Sequence, residues 1–299
     1  MAYRLSAHNW MRPEPIEVTF ARLQRCGFWG IEIMGEPERY PTKQTRKLLD
    51  KYKLKCWGSV SIMLKCRDLI NADHYLRLGS QQYLKDCITM VSELGGEIMT
   101  IVPSEVGKIN AMASPEQEWA WAVEGLKKVA DHAHKKKVRI AIEPLNRFET
   151  NFLNRHDQAL ALAKEVGGDH VGICLDAFHI NIEEKDPYQA ILNAGKKLFD
   201  FHIADNNRAA PGDGNYDWKK LLATLKKAGY EGCLTTEFVI SNDRTPCSPR
   251  FGKAASQDTA GSAAEEKFII DHGGYVMTDA EYSKHFERTI AHIRKCEPK

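Results

Sequence analysis

The sequence predicts an α/β protein of the (β/α)8 TIM-barrel type. Three observations carry that expectation. Strand-like and helix-like stretches alternate eight times along the 299 residues without a break, and strand alternating with helix implies parallel strands. Eight such units fit the usual length of a closed barrel. No glycine-rich phosphate-binding fingerprint follows the first strand, which argues against an open doubly wound sheet.

Each unit has its own signals. Residues 3–7 read as the first strand, with His8-Asn9-Trp10 at its exit. Residues 15–26 have helical spacing and stop at Gly27. The run GIEIMG (30–35) is strand two, and 42–53 is a helix with Thr42 as its cap. Strand three is 56–63, a long helix over 72–94 ends at Gly95-Gly96, and strand four is 98–103. Ser114-Pro115 puts an N-cap before a proline at the first helical position and opens a helix to about Lys136. Strand five, 139–145, leads to a helix over 157–166 stopped by Gly167-Gly168. Strand six is 171–178, with a helix near 187–197, and strand seven is 198–204. Tyr216-Asp217 opens a helix that ends at Ala228-Gly229, and strand eight is 233–239. The segment 241–277, rich in Gly, Ser, Ala and Pro, is too long for a plain turn and reads as a lid or an interface element. Thr278 caps the last helix, which carries Tyr282, Phe286, Ile290 and Ile293. No linker divides the chain, so one barrel domain is expected over 1–299.

Bulk properties exclude several classes. Hydrophobic residues make up 43% and charged residues 27% of the chain, as in an ordinary globular protein. A net charge of +2 leaves no electrostatic footprint for nucleic acid. There is no apolar signal core and no long apolar run, so neither secretion nor membrane spanning is expected. The eight cysteines are scattered without a CxxC pair, against a zinc knuckle or a disulfide framework. These features point to a reduced, cytoplasmic protein.

The chemistry centres on RIAIEPLNRFET (139–150). Ile140, Ala141 and Ile142 make a buried strand, and Glu143 stands where the apolar run ends. A carboxylate at that exit is costly to place unless something pairs with it. The next three strands end the same way. GICLDAFH offers Asp176 and then His179, FDFHIAD offers His202 and then Asp205, and LTTEFV offers Glu237. Singly, each has a plain structural explanation: a strand-end acid caps the next helix, and a strand histidine sits in the core. Four in succession, spaced by 33, 26 and 35 residues, aim one ligand-type side chain per unit at a common point, at the strand ends where barrel active sites lie. Glu143, Asp176, His202 and Glu237 are therefore read as the ligands of one divalent metal ion. Such an oxygen-rich set suits Mn²⁺, Mg²⁺ or Co²⁺ better than zinc. Glu149, His179 and Arg208 are candidates to bind substrate hydroxyls or a carbonyl, and His8 and Trp10 to line the pocket.

At these motifs the chain resembles the xylose-isomerase-like sugar isomerases and epimerases, above all the ketose 3-epimerases that act on tagatose and psicose. The resemblance rests on EPLNRFE (143–149), LDAFHINIEE (175–184) and FHIADNNR (201–208). It implies that the four ligands hold Mn²⁺ or a similar ion. It also implies that Glu149, His179 and Arg208 contact substrate and that Glu143 and Glu237 move protons. The stretches TIVPSEVGKI (100–109) and NDRTPCSPRFG (242–252) depart from the epimerase pattern. As a whole the chain is similar to the catalytic alpha subunits of C-glycoside deglycosidases, which cleave 3-oxo-C-glycosides and work with a small beta subunit. The expected activity is thus metal-assisted enolisation of a keto-sugar, with C–C cleavage of a 3-oxo-C-glycoside as the leading reading and epimerisation of a free ketohexose as the alternative. His179 or the second glutamate is the candidate acid for cleavage. The partners weighed are a sugar or glycoside, a small beta subunit and a second copy of the chain. Metal-dependent hydrolysis is disfavoured by the near-neutral charge and the single ligand set. A non-catalytic barrel is disfavoured because all four ligand positions are filled.

Overall fold

The computed structural model describes residues 2–64, 67–241, 245, 269–270 and 273–298. The strands are β1 (Arg4–Ala7), β2 (Gly30–Met34), β3 (Lys55–Val60), β4 (Ile98–Ile101), β5 (Arg139–Ile142), β6 (Val171–Asp176), β7 (Leu198–Ile203) and β8 (Cys233–Thr236). All pair in parallel, in the order β1-β8-β7-β6-β5-β4-β3-β2. A parallel bridge from His8, just past β1, to Glu32 in β2 joins the two edges. The sheet closes on itself, and the TIM barrel expected from the alternation is what forms.

The outer layer is α1 (Ile16–Cys26), α2 (Thr42–Tyr52), α3 (His74–Glu93), α4 (Pro115–Lys136), α5 (His156–Val166), α6 (Ala177–Glu183), α7 (Pro187–Ala194), α8 (Trp218–Ala228) and α9 (Asp279–Cys296). The α4 helix shows why the sequence folds this way. The Ser114 hydroxyl accepts from the Gln117 N–H, and Pro115 fills the first position, whose N–H would be unpaired in any case. Glu116 and Glu118 lie in the first turn and His134, Lys135 and Lys136 in the last, matching the helix dipole. Its inner face buries Leu126, Val129 and Ala133. The α9 helix starts at the capping box of Thr278 and Glu281 and buries Tyr282, Phe286 and Ile293.

Three expectations need correction. Thr42 does not cap α2. Pro41 stands at the cap position, and the Thr42 hydroxyl instead donates to Glu93 Oε2 at 2.6 Å. Strand six ends at Asp176 rather than 178, because the Asp176 carboxylate accepts from the Phe178 N–H at 2.7 Å and starts α6, a helix the residue pattern did not announce. Strands five and eight also end early, although the Glu143 and Glu237 N–H groups still donate to Ile101 and Ile203 across the ladder. Of the expected lid at 241–277, most lies outside the described residues; Ser241 pairs with Gly274 in an antiparallel bridge. Cys26, Cys56, Cys87, Cys174, Cys233 and Cys296 are free thiols. Among the described residues no helix is long and apolar enough to cross a membrane.

Candidate metal and sugar site

Period-two alternation along each strand sets the site. Glu143 follows β5, Asp176 ends β6, His202 is next to last in β7, and Glu237 follows β8. Asp176 pairs in register with His202, and His202 with Thr235. All four ligand candidates are buried, and one ligand atom from each lies within 4.8 Å of the others. Glu143 and Glu237 line the floor of a cavity at the C-terminal mouth, with Asp176 and His202 fully buried beside them. Its polar side is Glu143, Glu149, His179, Arg208 and Glu237. Its apolar wall is Trp10, Val60, Ile62, Met63, Leu64, Val102, Val106 and Leu145.

The donor geometry fits a divalent cation. His202 Nδ1 stands 3.0 Å from Glu237 Oε2 and 3.3 Å from Glu143 Oε1. Yet neither His202 Nδ1 nor Glu237 Oε2 makes a hydrogen bond. Buried polar atoms left that way are rare and call for an explanation. Metal–ligand bonds of about 2.1 Å place neighbouring corners of an octahedral shell roughly 3 Å apart, so these contacts match adjacent ligands of one ion. The three oxygens and one nitrogen suit Mn²⁺, Mg²⁺ or Co²⁺.

Charge is concentrated around this floor. Arg208 Nη1 ion-pairs with Asp176 Oδ2, and its Nη2 stands 3.1 Å from Glu237 Oε1. Burial pushes the Asp176 carboxyl up to about 6 against the pull of Arg208. Burial also pushes up on Glu237, but Arg208, His8 and His202 outweigh it and hold that carboxyl well below the usual range. Burial works against a charged His202, yet Cys174, Glu32, Glu143 and Glu237 hold it well above the usual imidazole value.

The remaining predicted residues divide. Arg208, Glu149, His179 and Trp10 line the cavity. His179 lies on α6, where its Nδ1 receives the Asn146 N–H at 3.3 Å and the Asn146 side-chain N–H at 3.0 Å. Two donors facing Nδ1 leave the imidazole proton on Nε2. Asn146 also donates to Glu149 Oε1 at 2.7 Å, so one amide orients two cavity side chains. His8 does not line the cavity: it is fully buried behind Glu237, with Nε2 3.8 Å from Glu237 Oε2, and burial pushes its pKa down to about 3. Glu32 and Asp200, two fully buried carboxylates beneath His202, fall outside the series of strand-end residues. Their signal was a charge inside the apolar runs GIEIMG and LFDFHI.

Comparison with known proteins agrees with this geometry. Residues 20–259 match the family described as xylose isomerase-like TIM barrel. The L-ribulose 3-epimerase of Methylomonas sp. (strain DH-1) is 31% identical over 249 residues, covering 81% of this chain and 86% of that protein. The 3-dehydro-D-guloside 4-epimerase of Escherichia coli (strain K12) is 29% identical over 236 residues, covering 75% and 87%. The crystal structure of a D-allulose 3-epimerase from Methylomonas sp. superposes with a TM-score of 0.82 at 24% identity, covering 99% of this chain and 100% of the other. With the barrel, the buried donor cluster and these relatives in agreement, the chain belongs to the xylose isomerase-like TIM-barrel family, among its sugar isomerases and epimerases.

Proposed function

We propose that this enzyme removes a proton from one face of the carbon next to the carbonyl of a keto-sugar and delivers a different proton to the opposite face, giving an epimer. The observation that carries this reading is the convergence of Glu143, Asp176, His202 and Glu237 within 4.8 Å, with the two glutamates open to the cavity. These four residues would hold the ion, which when bound supplies Lewis-acid polarisation of the carbonyl. Glu143 and Glu237 take and return the proton as the general base and acid. The electron pair of the broken C–H bond moves onto the carbonyl oxygen, within reach of the Arg208 guanidinium. The His179 Nε2 proton and the Glu149 carboxylate bind hydroxyls and fix which carbon is presented. Chelation should abolish turnover, with recovery on adding Mn²⁺, Mg²⁺ or Co²⁺. In deuterated water, recovered sugar should carry label at the reacting carbon, and product without label refutes proton abstraction.

A second reading is supported by the apolar wall. Val60, Ile62, Met63, Val102, Val106 and Leu145 offer no partner to a polyhydroxy chain, but they suit the flat face of an aglycone. On a 3-oxo-C-glycoside, loss of the C2 proton is followed by breakage of the bond from C1 to the aglycone. A C1=C2 double bond forms, and the departing carbon takes a proton from His179 or the second glutamate. This is the deglycosidase activity, with a small beta subunit as partner. A substrate panel separates the readings. Free ketohexoses turned over by the chain alone support epimerisation, and release of aglycone from a 3-oxo-C-glycoside supports cleavage.

A further inference from the structure

We propose that Asp200 and Glu32 are positioning residues, which hold the His202 imidazole so that its Nδ1 faces the three metal-site carboxylates. The inference rests on the metal reading above and concerns the layer beneath it. Asp200 lies two residues before His202 on β7, so both point into the barrel one layer apart. Asp200 Oδ2 stands 3.4 Å from His202 Nε2. Glu32 Oε2, reaching across from β2, stands at the same 3.4 Å. The edge of the ring that turns away from the cavity thus sits between two carboxylates, and the edge that faces the cavity has Nδ1.

Both acids are themselves fixed. Asp200 accepts from Trp57 Nε1 at 2.9 Å and from the Thr100 hydroxyl at 2.8 Å. Glu32 accepts from the Thr235 hydroxyl at 2.9 Å, and Thr235 is hydrogen-bonded to Ser6 at 2.7 Å. Six of the eight strands therefore contribute a side chain to this network. A layer that only filled space would be better made of apolar side chains, because two carboxylates without solvent contact carry a large desolvation cost. What they gain is control of one ring. A carboxylate held against one edge of an imidazole fixes the ring's orientation and favours the tautomer with its proton on that side, which leaves the lone pair on the other nitrogen. Here that other nitrogen, Nδ1, faces Glu143 and Glu237.

The test uses the full chain and Mn²⁺ itself. Electron paramagnetic resonance of free Mn²⁺ gives its dissociation constant for the wild type, E32Q and D200N, variants that keep shape and remove charge. Loss of such an outer carboxylate should weaken binding by about 10- to 100-fold. Electron spin echo modulation of bound Mn²⁺ should show coupling to a coordinated imidazole nitrogen in the wild type and altered coupling in the variants, a signature that a purely structural role would leave alone. If D200N does not fold, W57F keeps the carboxylate and removes one of its donors; a smaller loss of affinity is then expected. Variants that bind Mn²⁺ as tightly as the wild type, with unchanged nitrogen coupling, overturn the proposal alone. A wild type that binds no Mn²⁺ overturns the metal reading as well.

Discussion

The substitution Glu14→Gln tests how the pocket wall is anchored. Glu14 lies in the loop between β1 and α1, a few residues after Trp10, and is only 6% exposed. Its carboxylate accepts from Thr19 Oγ1 at 2.7 Å and Arg22 Nη2 at 2.8 Å, and it makes close ion pairs with Arg12 Nη1 and Arg22 Nη1. The same arginines reach the C-terminal region: Arg12 donates to the Met277 carbonyl and Arg22 to Ser283, both at 3.1 Å, and Arg22 stacks on Tyr282. Glu14 thus ties the β1–α1 loop to α9. Glutamine keeps the shape but removes the carboxylate shared by Arg12 and Arg22, leaving Asp279 as the remaining acid paired with Arg22. Breaking such a buried pair costs about 3–5 kcal/mol. Unfolding entropy of roughly 2.1 cal/mol/K per residue gives ~0.6 kcal/mol/K for a chain of this length, so the midpoint should fall by about 5–8 °C. Circular dichroism melting of the wild type and E14Q measures this. Because the loop carries Trp10 into the cavity, KM should also rise. An unchanged midpoint would show that Arg12 and Arg22 are satisfied without Glu14 and would refute the anchoring argument.

Three further outcomes follow from the same geometry. Replacing Asn146 by alanine frees both Glu149 and His179 from their shared amide, so kcat/KM should fall on the order of 100-fold with little change in melting; equal kcat/KM in N146A would remove that amide from the site's construction. At Gly58 in β3 an added Cβ would meet the Ile98 carbonyl and side chain, so G58A should lose about 1–3 kcal/mol to overpacking, read by urea unfolding, and a neutral G58A would mean the β3–β4 pair can spread. Burial raises the Glu183 carboxyl, but the Arg147 side chain and N–H outweigh it and hold it below the usual range. A lowered folded pKa contributes stability above the unfolded value of about 4.3, and that stability is lost as pH falls through the folded value. E183Q should therefore cost on the order of 1 kcal/mol at neutral pH, and its gap from the wild type should close on acidification. A gap of constant size down to the acid limb would contradict the pairing.

The four ligand positions could be proposed from sequence because a barrel repeats. One strand end per βα unit, over four consecutive units, makes Glu143, Asp176, His202 and Glu237 visible as a series. The layer beneath them has no such rhythm. Ser6, Glu32, Trp57, Thr100, Asp200 and Thr235 meet only because the sheet closes, and Glu32 and Asp200 are 168 residues apart in the chain. Glu32 and Asp200 were nevertheless anomalies in their own strands, carboxylates inside otherwise apolar runs. The cavity's apolar wall was less legible still, since Val102, Val106 and Leu145 follow their strands on loops whose course no periodicity sets. The α6 helix was hidden for a different reason. The run LDAFHINIEE reads as strand through Phe178 until the Asp176 carboxylate is seen to cap the Phe178 N–H. That cap turns the chain at the cavity floor and carries His179 back beside Asn146. Asp176 therefore has two tasks with its two oxygens: Oδ1 starts the helix that places His179, and Oδ2 faces Arg208 on the cavity floor. Asparagine at 176 would keep the first task and lose the charge of the second. Normal placement of His179 together with lost metal affinity in D176N would separate the two; retained metal affinity would remove Asp176 from the ligand set.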